Sequence, residues 1–229
     1  MTLTVSSTPV VIPAGARLEG ELAVPDTPRG LILFAHGSGS SRLSPRNQWI
    51  ASQLQVDGFA TLLFDLLTPA EEAFDQRSGK MRFDIPALSR RLVDATRWIH
   101  HQGATSKLPI GYFGASTGSA AALVAAARMP DIVRAVVSRG GRADLAGPLL
   151  SRVFAPTLLI VGGKDRPVLA MNRSAITDIG TPQKKLIVVP GASHLFEEAG
   201  ALDRVAMLGL GWFERHVATA FPGQPTMLS

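Results

Sequence analysis

A serine stands between two glycines in Gly114-Ala115-Ser116-Thr117-Gly118, where the apolar run Pro109-Ile110-Gly111-Tyr112-Phe113 gives way to an alanine-rich stretch from Ser119 to Ala127. G-x-S-x-G between a strand and a helix forces a sharp turn that lifts the serine hydroxyl clear of the sheet edge. Only small flanking residues let strand and helix approach, and the turn holds the serine in a sparsely populated backbone conformation. The hydroxyl also lies at the amino end of the helix, whose free N–H groups can stabilise a developing negative charge. Near neutral pH a serine is a poor nucleophile; it needs a base, and the base needs a carboxylate to orient it. Taken alone, the motif also fits a glycine-rich turn whose serine caps the helix.

Both partners follow along the chain. Asp165 ends Leu158-Leu159-Ile160-Val161-Gly162-Gly163-Lys164-Asp165, and His194 ends Ile187-Val188-Val189-Pro190-Gly191-Ala192-Ser193-His194. Each segment is an apolar strand running into a glycine turn, so both side chains fall beyond the carboxyl ends of strands, on the edge that carries Ser116. Singly, Asp165 reads as a turn-capping aspartate and His194 as a surface histidine. Together, and in the order Ser, Asp, His, they read as nucleophile, acid and base. His100 and His101 end a helix and His216 lies near the close of the last one, where interaction with the helix dipole accounts for them.

Attack on a carbonyl also needs two fixed donors for the oxygen that becomes negative. His36-Gly37-Ser38-Gly39-Ser40, after the first buried strand, fits the loop that supplies one of them. The candidate backbone donors are Ser38 and Thr117; the alternative for the loop is an ordinary glycine-serine turn.

Positioning these residues is the work of alternating strands and helices. Extended segments near Thr4 to Ile12 and Arg17 to Val24, separated by Pro13-Ala14-Gly15, predict a hairpin. Buried strands are expected over Gly30 to Ala35, Phe59 to Phe64, Pro109 to Phe113, Ile132 to Val137, Thr157 to Val161 and Lys185 to Val189. Helices are expected over Pro45 to Gln55, Pro86 to His100, Ser119 to Ala127, Leu145 to Val153, Val168 to Ile179 and Ala201 to His216, with a polar stretch from Thr68 to Asp84. Right-handed crossovers then dictate an α/β fold: a twisted, mostly parallel sheet of about eight strands with helices on both faces. The ligand site of such a sheet lies at the carboxyl ends of its strands.

The chain has 229 residues, which suits a single domain over residues 1–229. Hydrophobic residues make up 46% and charged ones 18%, a globular composition. With no cysteine, disulfides, thiolate metal sites and a cysteine nucleophile are excluded. Neither a secretory leader nor a membrane-length apolar run is visible, so a soluble, cytoplasmic protein is expected. The net charge of +5 comes from scattered arginines rather than a cationic run, with one tyrosine and three tryptophans for stacking, which speaks against nucleic-acid binding.

From about Gly30 to His216 the chain resembles an α/β-hydrolase, and its HGSGS loop, GASTG elbow, GGKD turn and GASHLFEE segment resemble the dienelactone hydrolase-like branch. The resemblance implies Ser116, Asp165 and His194 as nucleophile, acid and base, a small ester as substrate, and no metal or organic cofactor. Dienelactone hydrolases proper place cysteine at the elbow; serine here favours general ester hydrolysis over dienelactone-type ring opening. Thioester or peptide cleavage, acyl transfer, and a non-catalytic ligand-binding role remain as alternatives.

Residues 68 to 84 are too few for a helical lid, so a minimal cap or none is expected. Phe74, Met81 and Phe83 could line an acyl or alcohol pocket, or pack a satellite core. Arg42 and Arg46 could pair with a substrate carboxylate, or could be the solvated start of a helix. Arg139 and Arg142, after a strand's carboxyl end, pose the same choice. Glu197 and Glu198 are expected to favour the closing helix through its dipole. Oligomeric state is not legible.

Overall fold

The computed structural model describes residues 5–218. Eight strands form one open sheet: β1 (Val5–Pro13), β2 (Arg17–Pro25), β3 (Gly30–Ala35), β4 (Phe59–Phe64), β5 (Ile110–Ala115), β6 (Val133–Arg139), β7 (Thr157–Gly162) and β8 (Lys184–Val189). Their spatial order is β1-β2-β4-β3-β5-β6-β7-β8. β1 and β2 make the expected hairpin, in register from Val5↔Pro25 to Pro13↔Arg17, and β2 joins β4 antiparallel. From β4 to β8 every pairing is parallel. Thr4, the expected start of the first strand, lies outside the described residues.

Among the described residues six α-helices cover the sheet: α1 (Pro45–Val56), α2 (Pro69–Ser78), α3 (Ile85–His100), α4 (Thr117–Arg128), α5 (Arg166–Asp178) and α6 (Ala201–His216). The central strand β3 is buried throughout, and its alternate residues face two separate cores. Leu31, Leu33 and Ala35 pack with Leu88, Leu92, Ala95 and Ile99 of α3 and the alanines of α4, while Ile32 and Phe34 pack with Ile50 and Leu54 of α1 and Phe213 of α6. This two-sided burial explains the unbroken apolar runs in the sequence. α4 is buried from Thr117 to Ala126, which is why it is built of alanine: larger side chains would hold it off the sheet.

Two segments differ from expectation. The polar stretch after β4 contains α2, started by a reciprocal capping box between Thr68 and Glu71 and ended by Gly79 in the left-handed conformation (φ 64°). Arg91 of α3 ties it down, bonding both carboxylate oxygens of Glu71 at 2.8 and 2.6 Å and the Leu66 carbonyl at 2.6 Å. The expected helix over Leu145 to Val153 is instead 3₁₀ backbone over Ala143–Arg152, broken at Gly147 (φ 54°, ψ −139°) just before Pro148. Proline there lacks an N–H for a continuous α-helical ladder. Among the described residues no helix is long and apolar enough to cross a membrane.

Candidate active site

β5 ends at Ala115 and α4 begins at Thr117, leaving Ser116 alone to turn the chain at φ 50°, ψ −124°. A non-glycine residue there costs on the order of 1–3 kcal/mol and persists only where its surroundings enforce it. They do: Ser116 N–H donates to the Arg139 carbonyl at 3.1 Å, and Arg142 N–H donates to the Ser116 carbonyl at 3.0 Å. The motif's glycines are steric requirements. A Cβ at Gly114 would lie 2.5 Å from Ser119 Cα, and one at Gly118 would lie 2.1 Å from the Ala35 carbonyl oxygen.

Ser116 occupies the N-cap position of α4, and Asp165 that of α5, yet neither side chain caps its helix. Serine and aspartate are strong capping residues, so two such vacated caps point to other employment. Asp165 accepts a 2.6 Å hydrogen bond from His194 Nδ1. That bond fixes the tautomer with the proton on Nδ1 and leaves Nε2 as an acceptor. The Asp165 side chain is 11% exposed and that of His194 39%, so the pair is anchored from beneath and open above. The turns after β7 and β8 are laced together by Gly163 N–H to the Val189 carbonyl and Lys164 N–H to the Ala192 carbonyl, both 2.9 Å.

Ser116 and His194 line one cleft of about 430 Å³, floored by the glycine-serine loop after β3 and bounded by Arg46, Arg139 and Leu195. Ser38, in its lining, meets Thr117, their hydroxyl oxygens 3.0 Å apart. Thr117 opens α4, where backbone N–H groups have no intrahelical acceptor. The two candidate donors named from the sequence thus lie on adjoining segments, Ser38 on the loop after β3 and Thr117 at the start of α4. His36 has a mechanical part that its motif did not disclose. Its Nδ1–H donates to the Gly37 carbonyl at 2.9 Å, and its Nε2 accepts from Leu66 N–H at 2.8 Å, clamping the loops after β3 and β4 together. Burial lowers its pKa and keeps it neutral, as this donor-acceptor pattern demands.

Glu198 does more than the helix-dipole role expected of it. Both carboxylate oxygens accept from Ser193 N–H, at 3.0 and 2.9 Å, pinning the backbone immediately before His194. Those backbone bonds are the leading cause of its lowered pKa. Glu197 reaches Arg46 at 3.2 Å.

The expected substrate contacts fare unevenly. Arg46 lines the cleft, but Arg42 does not: its guanidinium binds Asp65 and, at 2.6 Å, Glu19. Arg142 likewise turns to its neighbour Asp144 at 2.7 Å. Phe74 and Phe83 are exposed on α2 and the 3₁₀ turn that follows it, and Met81 packs against the core; none lines the cleft at Ser116. Segment 68 to 84 contributes no residue to the lining of the cleft.

Arg139, left by the sequence with the same choice as Arg42 and Arg46, is the second arginine of the cleft. As the last residue of β6 it is 7% exposed, lines the cleft, and donates from Nη2 to Asn47 Oδ1 at 3.3 Å. Desolvation by burial, aided by the Arg46 charge, pulls its pKa down to about 10.

A family model, that of the Dienelactone hydrolase family, matches residues 18–206. The chain is 53% identical to a solved dienelactone hydrolase from Anabaena variabilis ATCC 29413, with a TM-score of 0.89 over 95% of this chain and 100% of that one. A dienelactone hydrolase-like promiscuous phosphotriesterase, P91, from metagenomic libraries shares the fold at 18% identity, with a TM-score of 0.75 over 93% of this chain and 99% of that one. A curated Mycobacterium tuberculosis protein (strain H37Rv) named “Putative phosphoribosyl transferase” is 55% identical over 213 residues, 93% of this chain and 47% of the relative, so the chain spans about half of that protein.

Proposed function

Because this chain belongs to the dienelactone hydrolase family, we propose that it is a serine hydrolase that cleaves small carboxylic esters through an acyl-enzyme intermediate. One observation carries the reading. The two side chains best suited to cap α4 and α5 forgo that role, and one of them holds the imidazole that shares a cleft with the other.

In this mechanism His194 Nε2 takes the Ser116 hydroxyl proton as Oγ attacks the ester carbonyl carbon. The carbonyl oxygen becomes negative and is held by the backbone N–H groups of Thr117 and Ser38. His194, with its charge balanced by Asp165, then gives the proton to the departing alcohol. Water attacks the acyl-serine with the same imidazole as base, and the acid leaves as Ser116 regains its proton. A pair of such donors stabilises the oxyanion strongly; one alone is worth about 10² to 10³ in rate. The cleft, lined by the loop after β3 and with no helical lid among the described residues, suits short acyl and alcohol groups. The phosphoribosyl transfer in the name of the Mycobacterium relative concerns a protein about twice as long, and this reading assigns ester cleavage to the segment matched here.

The test is covalent. A fluorophosphonate probe should label Ser116, with the adduct located by peptide mass spectrometry, and Ser116→Ala should abolish both labelling and turnover of 4-nitrophenyl acetate. Labelling elsewhere, or full turnover by Ser116→Ala, would discard the proposal. Parallel assays with thioester, lactone and peptide substrates set the reaction class.

A further inference from the structure

Fourteen residues surround the cleft at Ser116, and no aspartate or glutamate is among them. Two arginines are. Arg139 is buried with its charge opposed by no carboxylate: its one side-chain bond goes to the neutral amide of Asn47, and its Nε is shut from solvent with no acceptor among the described residues. Arg46 lines the same cleft, and its like charge adds to burial in lowering the pKa of Arg139. Glu197 offsets Arg46 only from outside, through one 3.2 Å contact by a side chain 63% exposed, and Arg46 Nε is likewise enclosed and unpaired.

Burying a guanidinium without a counter-charge is costly, and placing a second one beside it adds to the cost. Elsewhere the same fold solves this problem fully: Arg42, Arg82, Arg91 and Arg142 each hold a carboxylate within 2.7 Å. The exception sits where a substrate would lie.

We propose that Arg139 and Arg46 form an anion subsite beside Ser116, and that the ester this protein cleaves carries a phosphate group there. The inference rests on the serine hydrolase reading for the position of the scissile bond, and on the cleft alone for the anion. Phosphate is favoured over a carboxylate by count. Two cations face a dianion of about −1.5 to −2 charge with three acceptor oxygens. Ser40, Ser41 and Ser44 line the same cleft, and their hydroxyl protons would serve a phosphate's third oxygen, which a carboxylate lacks.

Four 4-nitrophenyl esters test this: acetate, butyrate, hemisuccinate and 3-phosphonopropionate, the last three similar in length and differing in charge. The phosphonate should exceed the butyrate at least tenfold in kcat/KM and also exceed the hemisuccinate. Loss of a hydrogen bond to a charged group should cut the phosphonate-to-butyrate ratio roughly ten- to a hundredfold in Arg139→Met and in Arg46→Met. Arg46 is the more exposed of the two, so its variant carries the test if Arg139→Met does not fold. Butyrate turned over as well as the phosphonate would overturn the subsite, and a preference for hemisuccinate would overturn its assignment to phosphate. Calorimetry of inorganic phosphate with Ser116→Ala separates this inference from the reaction. Binding that Arg46→Met weakens tenfold or more supports the subsite even if no ester is cleaved; no binding at millimolar phosphate refutes it even if esters are.

Discussion

Gly37→Ala puts the working geometry under direct strain. A Cβ at residue 37 would lie 2.8 Å from Ser116 Cβ, 3.1 Å from the Ala115 carbonyl oxygen and 3.6 Å from Ser116 Oγ. Ordinary contact begins at 3.4 Å, so the loop and the elbow must part by about half an ångström, a distance of the order that costs reactivity when catalytic groups are displaced. Neither can yield easily, because the elbow is held from β6 and the loop by His36. The displacement falls on Ser38, the next residue and a proposed oxyanion donor. We expect kcat for 4-nitrophenyl acetate to fall by about 10² to 10³, the worth of one such donor, with a smaller change in KM. Gly39→Ala is the control. A Cβ at residue 39 meets nothing within 4 Å, although φ is +64°. It therefore imposes backbone strain of roughly 1–2 kcal/mol on the same loop without touching the serine. The assay is steady-state turnover and the second-order rate of fluorophosphonate labelling, on protein whose folding is verified by circular dichroism. If folded Gly37→Ala keeps kcat within threefold of the parent, or if Gly39→Ala loses as much, contact with Ser116 is not what the loop geometry protects.

Two further outcomes follow from groups that act at one remove. Glu198→Gln replaces a charge-assisted bond to Ser193 N–H with a neutral one and loosens the backbone that carries His194; kcat should fall about tenfold with KM nearly unchanged. A fall confined to KM would assign Glu198 to binding instead. His36 makes stability depend on pH, because burial lowers its folded-state pKa below the ordinary 6.5. Above that value the imidazole is neutral in both states; as pH falls through it the unfolded chain takes up a proton that the buried ring refuses, and stability is lost until the lower folded value is reached. His216 is shifted in the same direction, chiefly by burial, so the comparison is between proteins. Urea midpoints of His36→Gln should fall less than those of the parent between pH 7.5 and 5; equal slopes would remove His36 from the account.

The sheet was legible because its strands are buried on both faces. Runs such as Leu31 to Ala35 have no polar alternation to obscure them, and glycine turns mark their ends. The helix α2 was missed although Thr68, Glu71 and Gly79 spell its caps, because so few of its residues are apolar that periodicity carried no signal; only Asp75 is buried, and it holds Arg82. Ser116, Asp165 and His194 are legible as candidates because each follows a strand on the same sheet edge, so topology alone brings them to one side. Glu198 and His36 are legible only in part, for a different reason. Their parts consist of bonds to backbone, which the sequence does not display.

The arginines show where such reading stops. Arg42 and Arg46 are four residues apart, beside the same loop, and the sequence poses the same choice for both and for Arg139. In the folded chain Arg42 meets Asp65, at the end of the neighbouring strand, and Glu19, on the hairpin. Arg139 emerges at the end of β6 beside glycines, serines and a neutral asparagine, with no acidic side chain lining the cleft among the described residues. A cation is free to recognise a substrate only when the fold denies it a partner. That denial is a property of which strands lie side by side, and the order β4-β3-β5-β6 separates Arg139 from Asp65 by two intervening strands. The residue that tertiary structure leaves uncompensated is therefore the better candidate for specificity than the one nearest the motif in sequence.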